Sequence, residues 1–402
     1  MKHALFCGAA LLALLASPAL AQDKPVTIHA GQLLDGKGGS RRDVTITVQD
    51  GKIVKVGKGA GKPDYEFAKL TVLPGLIDSH VHITTHFNKE GRATAAGETG
   101  EEKGLKWAEN VELTLMAGYT TIQSIGSDDD YPLRAAIASG RLAGPRLLTS
   151  GKPITNPQMT PDEIRAFVDK SKENGADLIK IFASKSIRDG GAPTMSQEQM
   201  NAACGEANKL GMRTWVHAHA PEAVRRSVLA GCWTVTHGFL ATQAEFDLMA
   251  SKGTYFEPNM GLVLQNYLAH RPNYEGIGNY TADAFTSMAG FVEQAPAIWN
   301  KMYHTKGLKI LTGGDTNAGA EGSNANEIVW RVQHGQPAMD AIVSVTSRNA
   351  EALRLGDKIG SIAPGMEADI IAVPGDPLKD ITVLKSVRFV MKGGKVYKNV
   401  AD

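Results

Sequence analysis

Three cysteines in 402 residues are too few to found a disulfide framework. Cys7 lies in a stretch expected to be removed, so the mature chain keeps Cys204 and Cys232. Both are expected to be buried free thiols, although an exporting compartment would allow one bridge. Net charge is also missing: 43 basic residues against 42 acidic ones leave +1, with no basic block. That gives no ground for nucleic acid or an anionic membrane as partner. Phosphate-cradling loops are absent as well. No Gly-x-Gly-x-x-Gly follows the first strong strand and no Gly-x-x-x-x-Gly-Lys-Ser/Thr occurs, which weakens the case for a doubly wound nucleotide-binding sheet. Beyond residue 21 no apolar run reaches the ~20 residues that a membrane helix needs. The expected partner is a small molecule. The sequence leaves the oligomeric state open, a homo-oligomer included.

What is present begins with a leader. Lys2 and His3 precede an apolar run from Ala4 to Leu15, and Ala19-Leu20-Ala21 supplies a small-residue cleavage site. Residues 1–21 read as a secretory signal cut after Ala21, which predicts a periplasmic or secreted protein with no membrane contact once the signal is gone.

The mature chain has 43% hydrophobic residues overall to draw on, enough for one large domain and a small one. From Val26 to Val56 short alternating pieces, broken at Asp35-Gly36 and Asp50-Gly51, read as hairpins. Ala368–Val373, Val387–Met391 and Lys395–Tyr397 repeat that style. Neither end is large enough for its own core, so residues 22–72 and 358–402 are predicted to join as one discontinuous β-sandwich domain. Between them, over 73–357, strands alternate with helices. The candidate strands are 75–83, 120–125, 146–150, 177–183, 213–219, 234–237, 254–258 and 309–313. Repeated βα units of this length predict an α/β fold of the (β/α)8 barrel type, with an open doubly wound sheet as the alternative.

The chemistry starts at Pro74-Gly75-Leu76-Ile77-Asp78-Ser79-His80-Val81-His82. Alternation along a strand puts His80 and His82 on one face, where two imidazoles can serve one metal ion. Lys180 is the only interior charge of the apolar strand Asp177–Ala183. Burial disfavours its ammonium, and the neutral amine can combine with carbon dioxide to give a carbamate, an anionic ligand able to bridge two cations. His217 and His219 repeat the i, i+2 arrangement, His237 ends a strand before Gly238, and Lys309–Gly313 runs into Asp315. Five histidines, a lysine and an aspartate thus fall at the C-terminal ends of five candidate strands, the face on which barrel enzymes hold their working residues.

These segments, with Ser347-Arg348-Asn349-Ala350 and the run Gly360 to Asp369, resemble the amidohydrolase superfamily from about Val26 to Tyr397. Within it the chain looks most like the imidazolonepropionase-like branch that contains bacterial Xaa-Pro dipeptidases. The resemblance implies two divalent ions, most often zinc. His80, His82 and Asp315 would hold one, His217 and His237 the other, with carboxylated Lys180 and a hydroxide bridging them. It also implies Asp315 as the proton carrier and His219 as a helper beside the scissile carbonyl, a place that a tyrosine often holds in relatives.

The expected function is hydrolysis of a peptide-like amide, such as that of Xaa-Pro or other dipeptides, by the bridging hydroxide. Deamination or cyclic-amide ring opening is the alternative, and it is disfavoured because the acid that such single-metal enzymes carry after the strand-five histidine is here Ala220. Aryl amides, esters and lactones present the same carbonyl, and a barrel that merely binds belongs to another class again. Arg188, in the loop after the lysine strand, is a candidate clamp for a substrate carboxylate. The stretch Met260 to Thr281, with Tyr267, Tyr274 and Tyr280, is read as a lid. His86, His304 and His334 are read as structural.

Overall fold

The computed structural model describes residues 24–400. The predicted leader lies outside these residues, and among them no helix is long and apolar enough to cross a membrane. Four strands open the chain: β1 (Val26–Leu34), β2 (Ser40–Gln49), β3 (Lys52–Gly57) and β4 (Tyr65–Pro74). Asp50 and Gly51 both take positive φ, the conformation that a tight hairpin between β2 and β3 requires. Three strands close it: β13 (Ile370–Pro374), β14 (Phe389–Lys392) and β15 (Lys395–Asn399).

The two ends share one seven-stranded sheet in the order β15-β14-β13-β4-β1-β2-β3. β13 pairs antiparallel with β4, Ile371 facing Leu73, so the last part of the chain completes what the first part began. Alternation along β13 explains the packing. Ile370 and Ala372 join Ile28, Ile46, Phe67 and Phe389 in the core of the small domain. Ile371 and Val373 turn the other way and pack with Leu76, Leu115 and Ile122 of the barrel. At β13 the sheet is buried on both faces, which is why this strand reads as a continuous apolar run.

The barrel strands are β5 (Leu76–Val81), β6 (Tyr119–Ser124), β7 (Arg146–Thr149), β8 (Leu178–Phe182), β9 (Arg213–Ala218), β10 (Thr234–His237), β11 (Tyr255–Glu257) and β12 (Lys309–Ile310). They pair in parallel as two runs, β5-β6-β7 and β8 to β12. Short bonds close the seams. Asp177 N donates to Thr149 O (2.8 Å) and Ile154 N to Lys180 O (2.9 Å) on one side, and His82 N to Thr316 O (2.8 Å) on the other. The result is the (β/α)8 barrel. Helices Gly100–Met116, Pro161–Glu173 and Gln197–Lys209 start at Thr99, Thr160 and Ser196, each in a capping box. Helix Asp130–Ala138, with Pro132 in its first turn, was not among the expected elements. Near the end, Ser344–Arg348 forms a π turn, and Asn349 behind it donates to Ile77 O (2.8 Å) and Thr312 O (2.6 Å), tying the first and last barrel strands.

One expectation is overturned. Cys204 and Cys232 are not free thiols but a disulfide, with Cα atoms 5.1 Å apart. Cys204 sits in the helix that precedes β9 and Cys232 just before β10, so the fold brings together positions 28 residues apart. Nothing in their local sequence signals that contact.

Candidate metal centre

Each predicted residue arrives at the same mouth by way of its strand. His80 is on β5 and His82 one residue beyond it, and both Nε2 atoms face Asp315 Oδ1, at 3.3 and 3.1 Å. His217 lies on β9, His219 one residue past its end, and His237 closes β10. Their ring centroids are 4.6 Å (His217–His219), 4.6 Å (His217–His237) and 5.0 Å (His219–His237) apart. Two trios of possible ligands result, His80/His82/Asp315 and His217/His219/His237. His80 and His237 bridge them with centroids 5.5 Å apart, and Lys180 Nζ lies 3.5 Å from His80 Nε2.

The backbone is bent to make this possible. His237 (φ 71°) and Asp315 (φ 48°) both adopt the left-handed conformation, as does Asn259 (φ 53°). For a residue other than glycine each costs on the order of 1 kcal/mol or more, and such strain persists where the surroundings impose it. Gly313 shows the tightness: a Cβ there would lie 2.6 Å from Glu257 Cδ and 2.7 Å from His80 Cβ. Only glycine lets the two approach.

Burial governs the charges. It holds His80, His217 and His237 well below the ordinary histidine range and His219 at about 3, with neighbouring cations adding to the effect. Burial likewise lowers Lys180 to about 8, opposed by Asp315 and Glu257. Asp315 is held at about 2: burial would raise it, and His80, His82 and Lys180 pull it down. At neutral pH these four imidazoles are therefore neutral with a lone pair each, beside an ionised carboxylate. Such a set suits transition-metal cations well, and the buried His219 Nδ1 has no protein partner.

Sequence reasoning missed Glu257. Fully buried at the end of β11, it takes His80 Nδ1 at 2.6 Å, Trp215 Nε1 at 3.2 Å and Asn259 Nδ2 at 3.4 Å, with Ser79 Oγ closer still. Burial lifts its carboxyl to about 7. The carboxylate fixes which His80 nitrogen carries the proton, leaving Nε2 free to bind. The available signal was positional: Glu257 ends its strand as His237 ends β10. Asp78 is a second buried acid, lifted to about 7 by burial, and takes Asn324 Nδ2 at 2.7 Å and the amides of His80 and Gly314 at 3.0 Å. Below the lid, Glu327 accepts the amides of Met260 and Gly261 and pairs with Arg331 at 2.7 Å, both side chains fully buried.

All eight predicted side chains, Arg188 included, line one cavity of about 220 Å³. The guanidinium of Arg188 lies 4.1 Å from the centre of the Tyr280 ring and its Nε 3.4 Å from Asn279 Oδ1. The stretch read as a lid contains two short helices, Val263–Ala269 and Arg271–Tyr274; Leu264 and Tyr267 of the first line the cavity. His86 stands apart, paired with Glu98 at 2.7 Å, and His304 and His334 cap helix ends on carbonyls four residues back.

A closed barrel whose strand ends converge on imidazoles, a buried lysine and a carboxylate has the make-up of the metal-dependent barrel enzymes. Within that class, the chain belongs to the amidohydrolase family, whose model matches residues 71–397. It is 31% identical to a Xaa-Pro dipeptidase solved with methionine in its active site, with a TM-score of 0.84 over 94% of this chain and all of that one. It is 25% identical to ochratoxinase of Aspergillus niger, across 93% of this chain and 87% of the relative. Imidazolonepropionase of Thermoanaerobacter pseudethanolicus is more distant, 21% identical over 82% of this chain and 84% of its own.

Proposed function

We propose that the protein hydrolyses a peptide-like amide whose leaving amine carries a carboxylate, the Xaa-Pro bond and other dipeptide bonds being the models, at a centre of two divalent ions, zinc by preference. The observation that carries this reading is one cavity lined both by the imidazole and carboxylate set and by Arg188. The 31% identical Xaa-Pro dipeptidase supports it.

In this reading His80, His82 and Asp315 would hold one ion and His217 and His237 the other, with carboxylated Lys180 as a further anionic ligand. When bound, the ions supply an acidified water and a polarised carbonyl. Asp315, ionised at neutral pH, takes the proton from the attacking water and gives it to the leaving nitrogen. His219 stays neutral and donates one ring N–H to the carbonyl oxygen. Arg188 holds the substrate carboxylate through N–H groups left over from its contact with Asn279, while Phe182, Phe239 and Leu264 exclude water. Glu257 keeps His80 in register.

An aryl amide is the second reading, favoured by those phenylalanine walls and by the ochratoxinase relative. Elemental analysis of the purified protein, with a panel of dipeptides and aryl amides, tests both. The expected result is about two ions per chain and hydrolysis of the carboxylate-bearing amides; activity in metal-stripped protein would overturn the centre. We further propose export, with the chain cut after Ala21. The disulfide supports this, since an oxidising compartment sustains one. Mass measurement of protein recovered outside the cytoplasm would give a chain starting at Gln22, whereas a retained leader would refute it.

A further inference from the structure

A second cavity, of about 250 Å³, adjoins the metal cavity and shares Tyr280 and Asn317 with it as walls. It lies under the segment that follows β5, whereas Arg188 rises from the loop after β8, three strands further round the barrel. Several polar groups of this outer chamber are already engaged with the protein. Thr85 Oγ1 donates to His82 O (2.7 Å), Tyr274 OH to Ala318 O (2.7 Å) and Asn317 Nδ2 to Asp315 O (2.8 Å). His86, also in the lining, is paired with Glu98 at 2.7 Å. Across both chambers the only acidic side chain in the lining is Asp315, which is committed to the centre.

From this arrangement we infer that the acyl arm of the substrate occupies the outer chamber and is uncharged, so that the preferred class is the N-acylated amino acid and not the dipeptide with a free amine. The inference rests on the amide-hydrolysing reading above and narrows it. The metal cavity offers a guanidinium, and the outer chamber has no acidic side chain in its lining. A substrate ammonium in the outer chamber would leave water for surroundings without a free carboxylate, a transfer that a buried charge does not tolerate unpaired. It would also stand near cations of its own sign. An aryl or branched acyl group suits the chamber better, since Ala93, Ala95, Ala318, Tyr274 and Tyr280 are among the residues that line it.

The test uses matched substrates on the metal-loaded enzyme: N-benzoyl, N-acetyl and phenylalanyl derivatives of proline and, in parallel, of leucine, so that the Arg188 end is held constant. At pH 7 the benzoyl compound is expected to exceed the phenylalanyl dipeptide at least tenfold in kcat/KM. The gap should narrow as pH passes the α-amine's value, about 7.7–8.0, where the dipeptide loses its charge. Ala95→Trp, at an exposed position on the chamber rim, should raise KM for the benzoyl substrate at least tenfold more than for the acetyl one. A dipeptide that matches or beats the benzoyl compound at pH 7 would overturn the inference and leave amide hydrolysis standing, and so would equal KM changes in the variant. Hydrolysis of none of the six would overturn the underlying reading as well.

Discussion

In the proposed mechanism Asp315 has two duties, as ligand and as proton carrier, so its replacement is the most informative at the scale of single residues. Asp315→Asn keeps the shape and removes the charge; kcat is expected to fall by about 10²–10⁴-fold, the range in which general acid–base groups act, and retention of full activity would contradict its role. Glu257→Gln should leave the folded circular dichroism spectrum unchanged but weaken metal binding by about 10–100-fold, as measured by competition with a chelator, because the hydrogen bond that orients His80 loses its charge. Lys180 gives a pH signature. Below its value of about 8 the amine is protonated and inert toward carbon dioxide, and above it the amine is free. Metal uptake by stripped protein in bicarbonate should therefore speed up from pH 6 to about 8 and then level off, with a carbamate carbon visible by NMR after 13C-bicarbonate labelling. The residues that converge on the cavity were readable in the sequence because histidine, lysine or aspartate at the end of an apolar strand is unusual in itself. Glu257 was not, because its meaning depends on His80, which lies 177 positions away and meets it only through the missing side chain of Gly313.

Among the elements, the strands were legible to within a few residues because apolar runs bounded by glycine announce themselves, and the capped helices because Thr99, Thr160 and Ser196 start them. The elements that escaped were those decided by tertiary contacts. β4 alternates poorly, its burial coming from β1 and β13 on either side, and the short lid helices are held by Glu327 more than by any periodicity of their own. The disulfide is the clearest case. It closes a segment of 28 residues that includes all of β9, the strand carrying His217. On loop-closure grounds it contributes about 3–4 kcal/mol, so reduction should lower Tm by several degrees and loosen metal retention, whereas an unchanged melting curve in reductant would show that packing alone suffices. Glu327→Ala should cost about 3–5 kcal/mol in urea unfolding, because it leaves Arg331 charged and unpaired in the interior.

For the molecule as a whole, the barrel could be anticipated from the repeated βα units, but its closure could not, since the seams run through Asp177, Ile154 and Thr316, which belong to no strand. The union of the two chain ends was foreseeable because neither end had enough apolar material alone. Its register was not, because pairing between β4 and β13 is set by the barrel that separates them. A chain ending before β13 is expected to be insoluble, and recovery of a monomeric, metal-binding fragment would refute that.

That shared sheet sets a timetable for synthesis. β4 emerges early with one edge unsatisfied, and the strand that covers this edge is nearly 300 positions downstream. At about 5–20 residues per second, the ribosome delivers the partner roughly 15–60 s later. Throughout that interval a strand as apolar as Val72-Leu73 faces every other nascent copy, so yield in an expression host should depend on holdase capacity and on slow translation being avoided, long before any substrate is encountered.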